Sequence, residues 1–75
     1  MRIFHINQIA FSTAEVLILF GITRSTLVRW VDGNVIPPPK IVNKRRYWTR
    51  SDLDKFCRER FETSLDEHIR GASHE

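Results

Sequence analysis

The run from Ser12 to Asp32 restricts the fold more than any other part of the chain, because the start and stop signals of two helices fall within it. Ser12 followed by Glu15 is a capping box: the hydroxyl accepts an orphan backbone N–H while the carboxylate reaches back to the cap's own N–H. Phe11 and Val16 flank it as a hydrophobic staple, so a first helix starts at Thr13. Gly21 ends that helix, since the closing residue must tolerate positive φ. Two residues on, Thr23 caps a second helix with Ile22 and Leu27 as its staple, and Asp32-Gly33 supplies the stop.

Two short helices joined by a tight glycine-containing turn make a helix-turn-helix. In the first, Val16, Leu19 and Phe20 share a face that can pack on the second helix, which leaves Ile18 on the far side. In the second, Leu27 and Val31 stand at i and i+4 and form the inward face, with Trp30 at its border. Arg24, Ser25, Val28 and Arg29 are then outward. A helix N-terminus disfavours positive charge unless an anion is to be met there, so Arg24 in the first turn marks a functional end.

The second third of the chain carries the charge. The net charge is +3, but residues 24 to 50 hold Arg24, Arg29, Lys40, Lys44, Arg45, Arg46 and Arg50 against the single acid Asp32. Residues 51 to 75 reverse the balance with seven acids against four bases. Such a concentration is the footprint of a face that binds a polyanion.

Asn34 to Pro39 cannot be helical, because three successive prolines remove donors and force extended backbone. After this connector, the β-prone pairs Ile41-Val42 and Tyr47-Trp48 flank a polar tip, Asn43 to Arg46, and read as a short hairpin. Consecutive cations at such a tip repel one another unless the hairpin touches nucleic-acid backbone or enters a minor groove. Thr49 and Asp52 repeat the capping signature, with Trp48 and Leu53 as the third staple. The helix that follows places Leu53, Phe56, Cys57 and Phe61 on one stripe to close the core. Thr63-Ser64 is a weak point at which Ser64 and Glu67 can restart a short terminal helix, and Leu65 and Ile69 continue the stripe by packing on the domain itself. Residues 1 to 11 read as an N-terminal arm or strand, 12 to 61 as the domain and 62 to 75 as an extension with a frayed end from Gly71.

Several classes are disfavoured. One cysteine permits no intrachain disulfide, and no stretch approaches a membrane span, so a soluble cytoplasmic protein is expected. His5, His68, His74 and Cys57 lack the spacing of a zinc site, and the three glycines make no phosphate-cradling loop. Neither a cofactor nor an enzymatic activity is expected.

Residues 12 to 56 resemble the MerR-like winged-helix domain, and more closely its short versions, the AlpA-type regulators and the phage or genomic-island excisionases. The resemblance rests on Ser12 to Val16, Phe20 to Leu27, Arg29-Trp30, Pro37 to Lys40, Arg46 to Trp48 and Ser51 to Leu53, in that order. It implies a mostly α winged helix-turn-helix with a small β-hairpin wing, the second helix in the major groove and the wing on adjacent backbone or minor groove. By matching position, Arg24, Ser25, Thr26 and Arg29 are expected contacts of the recognition helix, and Arg46 and Tyr47 of the wing. Charge adds Lys44 and Arg45.

Leu17 and Ile18 depart from the pattern, being apolar where it often has a small and then a polar residue. MerR regulators continue into a long dimerisation helix, for which these 75 residues leave no room. The expectation is therefore a recombination directionality factor that binds double-stranded DNA near attachment sites, self-associates along it, bends it and assists a tyrosine-type integrase. An AlpA-type transcription regulator is the alternative. A protein-interaction module using Ile18, Leu65 and Ile69 is the alternative of another class.

Overall fold

A computed structural model describes residues 8–72. In chain order the elements are β1 (Ala10–Ser12), α1 (Thr13–Phe20), α2 (Arg24–Asp32), β2 (Lys40–Val42), β3 (Arg45–Thr49), α3 (Arg50–Phe61) and α4 (Leu65–Ala72). The mostly helical fold with its small antiparallel sheet is a winged helix-turn-helix, as the sequence implies.

Local hydrogen bonds set the helix boundaries. The Glu15 N–H donates to Ser12 Oγ at 3.3 Å and the Ser12 N–H donates to Glu15 Oε1 at 2.9 Å, which completes the capping box. Gly21 closes α1 in the left-handed region at φ 63°. Thr23 and Thr49 cap α2 and α3 by accepting from Thr26 N and Asp52 N. At the end of α2 the left-handed residue is Asn34 at φ 58°, whereas Gly33 sits at φ −89°. The sequence pointed to the glycine, but an Asn tolerates this conformation through its short polar side chain.

The sheet has the order β1-β3-β2. Of the arm or strand expected over residues 1 to 11, residues 1 to 7 lie outside the described residues, and β1 starts only at Ala10 and runs on to Ser12. Its register pairs Phe11 with Trp48, and both side chains are fully buried, so burying this aromatic pair selects the pairing segment. Trp48 Nε1 also donates to the Pro37 carbonyl at 2.9 Å, fastening the connector to the central strand. Ile36, within this connector, is buried in the core at 1% exposure. The Trp30 carbonyl accepts from both Val35 and Ile36, which turns the chain out of α2.

Phe11, Val16, Leu19, Leu27, Ile36, Trp48, Leu53, Phe56, Cys57, Leu65 and Ile69 form one buried cluster. Leu65 and Ile69 belong to the core, as expected, because α4 folds back onto α1 and α3. Asp54 holds it there by accepting from the Leu65 N–H at 3.0 Å. Two expectations at this end change. Phe61 is 41% exposed and forms a rim with Phe20 and His68 instead of closing the core. Gly71 and Ala72 are helical where a frayed end was expected, and residues 73 to 75 of that expectation lie outside the described residues. Of the two unusual residues of α1, Leu17 packs against the core and Ile18 is exposed.

Candidate nucleic-acid interface

The exposed face of α2 begins at its N-terminus. Thr23 satisfies the Thr26 N–H and its carbonyl accepts from Leu27 N, while the N–H groups of Arg24 and Ser25 at the helix start have no partner among the described residues. Arg24, Ser25, Val28 and Arg29 form a continuous outward patch around a shallow recess. Thr26 is half-buried, and its hydroxyl already accepts from Thr23 Oγ1 at 3.1 Å. Arg29 Nη2 lies 3.5 Å from the same oxygen, so this arginine leans toward Thr26.

The wing is β2 and β3 joined by a two-residue turn, Asn43 at φ 51° and Lys44 at φ 65°. Both residues are left-handed, as a tight hairpin turn demands. The tip is thus narrower than the expected Asn43 to Arg46. Arg45 and Arg46 lie on β3, paired with Val42 and Ile41, because the sheet ladder extends to the turn. Lys44, Arg45 and Arg46 are exposed and Tyr47 is half-buried.

Tertiary packing brings α2 and the wing to one cleft of about 440 Å3. Arg24 lines it with Lys44, Arg45, Arg46 and Tyr47, which are five of the eight expected site residues. Ser25, Thr26 and Arg29 do not line it, although Arg24 joins it to the outward patch of α2. Ser12, Thr13 and Ala14, at the N-terminus of α1, also line the cleft and were not anticipated. Their capping box is visible in the sequence, but its place beside the wing depends on the pairing of β1 with β3.

The electrostatics separate two kinds of cation. Arg50, counted with the middle basic group, turns inward: its Nη1 is 2.7 Å from Asp66 Oδ1 and its Nε donates to the Gln8 carbonyl at 2.7 Å. Arg58 Nε pairs with Asp54 Oδ2 at 2.9 Å. The Leu65 N–H and then the Arg58 side chain hold the Asp54 carboxyl below its ordinary range. By contrast, Arg24, Lys44, Arg45 and Arg46 have no carboxylate partner among the described residues. Four cations around one cleft repel each other, and a row of phosphates relieves that repulsion.

Other chemistry lies away from this face. Burial, followed by the Asp54 carboxylate, pushes the Cys57 thiol up to about 11. Among the described residues no cluster of His, Cys, Asp or Glu could hold a metal ion, and no helix is long and apolar enough to cross a membrane. His68 is in α4, with its Nδ1 3.0 Å from Thr63 Oγ1.

A family model described as a helix-turn-helix domain matches residues 10–60. No curated protein and no solved structure matches the chain.

Proposed function

The chain belongs to the helix-turn-helix domain family and is a sequence-specific DNA-binding protein, and on that premise we propose that it is a recombination directionality factor. In this reading α2 enters the major groove of double-stranded DNA near an attachment site. Arg24, Ser25 and Arg29 reach base edges or phosphates, and Thr26 contributes mainly by fixing the cap and steadying Arg29. Lys44, Arg45, Arg46 and Tyr47 follow the backbone on the wing side. Several copies associate along the duplex, bend it, and present it to a tyrosine-type integrase.

The observation that carries the DNA-contacting surface is the convergence of Arg24 with the wing cations around one cleft, without carboxylate partners among the described residues. The choice of a DNA-binding role over a protein-interaction module draws support from the other end of the fold. After Glu62, at φ 56°, the chain turns and α4 packs back on α1 and α3. Leu65 and Ile69 are thereby withdrawn from any surface, which removes two of the three residues that favoured a protein-interaction module.

The test is a titration of the protein against the DNA flanking its own gene, with random duplex as competitor and salt as the variable. About four phosphate contacts correspond to a log–log salt slope of roughly −3.6. Arg24→Ala, if it reads a base, weakens the specific site by about 1 to 3 kcal/mol and relaxes its sequence preference. Stepwise complexes that bring the ends of a doubly labelled duplex closer support the recombination role. A single unbent complex favours the AlpA-type regulator, and binding that random DNA competes away equally overturns both.

A further inference from the structure

Val28 is an apolar side chain at the centre of an otherwise polar and cationic face. It is 44% exposed, and the recess around it is lined by Arg24, Ser25 and Arg29. Arg24 and Ser25 stand one helical turn before it, at i−4 and i−3, on the same stretch of surface. Nothing in the fold requires a valine here. The inward positions of α2 are Leu27, buried, and Val31, partly buried against the core. A β-branched residue also forms helix less readily than alanine or a straight-chain polar residue, so an exposed Val28 weakens α2 slightly without adding to the core.

We propose that Val28 is a specificity-determining residue that packs against the 5-methyl group of a thymine in the major groove. The inference rests on the reading that α2 enters that groove. Of the edges that the four bases display there, thymine alone offers a methyl group, and the others offer only donors and acceptors. An isopropyl group packs against that methyl and expels water, whereas against the amino group of adenine or cytosine it displaces water without replacing a hydrogen bond. Valine suits the task because its χ1 is nearly fixed in a helix, so the methyls are held in place before DNA arrives. Arg24, on the same stripe, is within reach of a neighbouring guanine or phosphate, so the preferred site contains a thymine within the footprint of α2. Arg29 leans toward Thr26 and forms one wall of the recess in which Val28 lies.

The experiment uses the full chain and a duplex selected by the wild-type protein from a random pool. Each thymine of that duplex is then replaced in turn by deoxyuridine, which removes only the methyl group. Wild-type binding is expected to weaken about fourfold at one thymine, the worth of one buried methyl group. Val28→Ala is expected to bind the thymine and deoxyuridine duplexes alike at that position while keeping its helical circular dichroism. Val28→Ala that retains the same deoxyuridine sensitivity overturns the proposal, as does a wild-type protein indifferent to every replacement. In both cases specific DNA binding survives. A wild-type chain that selects no sequence overturns the underlying placement of α2 in the groove, and this proposal with it.

Discussion

Replacing Lys44 by glycine should stabilise the fold while weakening its hold on DNA. Lys44 occupies the second position of the wing turn at φ 65°, where glycine is the residue usually found. A left-handed backbone costs an L-residue roughly 1 to 2 kcal/mol. Glycine removes that cost but loses about 0.5 to 1 kcal/mol more chain entropy on folding. The net expectation for Lys44→Gly is a gain of about 0.5 to 1 kcal/mol, which moves a urea midpoint up by about 0.5 to 1 M at a typical slope for a small domain. The binding side has its own magnitude. Lys44 has no carboxylate partner among the described residues, and loss of one phosphate contact makes the salt slope shallower by about 0.9. Between 50 and 200 mM salt the variant should therefore lose about 3.5-fold less affinity than wild type, starting from weaker binding at low salt. Urea unfolding followed by tryptophan fluorescence gives the first quantity, and anisotropy of a labelled duplex at several salt concentrations gives the second. A variant with an unchanged salt slope would falsify the wing contact, and one less stable than wild type would refute the strain argument.

Three further outcomes follow from the charges. Arg50→Ala should cost about 2 kcal/mol in urea unfolding, since it removes two charge-assisted hydrogen bonds at a partly screened site; the salt slope for DNA should stay at its wild-type value, and a slope shallower by about 0.9 would place Arg50 on the DNA instead. Asp54 is held below its ordinary 3.8 by the Leu65 N–H and Arg58, so its contribution to stability is full above that value and is lost as pH falls through the lower folded value. Asp54→Asn should accordingly flatten the acid limb of a stability–pH curve, and an unaltered limb would show that the α4 cap is not what acid releases. With its thiol raised to about 11, Cys57 carries a thiolate fraction of only about one in a thousand at pH 8. Alkylation should then report unfolding, with rates that rise along the urea transition; rapid labelling of the native protein would contradict its burial.

Sequence alone determined the helical framework, because its signals are short-range. Each capping residue meets a backbone N–H three positions on, and each staple joins residues five apart, so Ser12, Thr23 and Thr49 could be located without knowing the fold. Periodicity likewise placed Val16, Leu27, Leu53 and Leu65 inside and Arg24, Ser25 and Arg29 outside. Tertiary structure decided what depends on distant partners. The aromatic pair Phe11 and Trp48, 37 positions apart, fixes β1 against β3 and thereby sets the start of α1 beside the wing. Arg50 resembles its basic neighbours until Asp66 is folded within 2.7 Å of it. Phe61 has the spacing of a core residue, yet the turn at Glu62 brings α4 across the stripe, so Leu65 and Ile69 take the enclosed positions and leave the ring at the rim. A pattern of residue types records which face of a helix is apolar; which of several apolar or charged groups is enclosed is settled only by the element that packs over it.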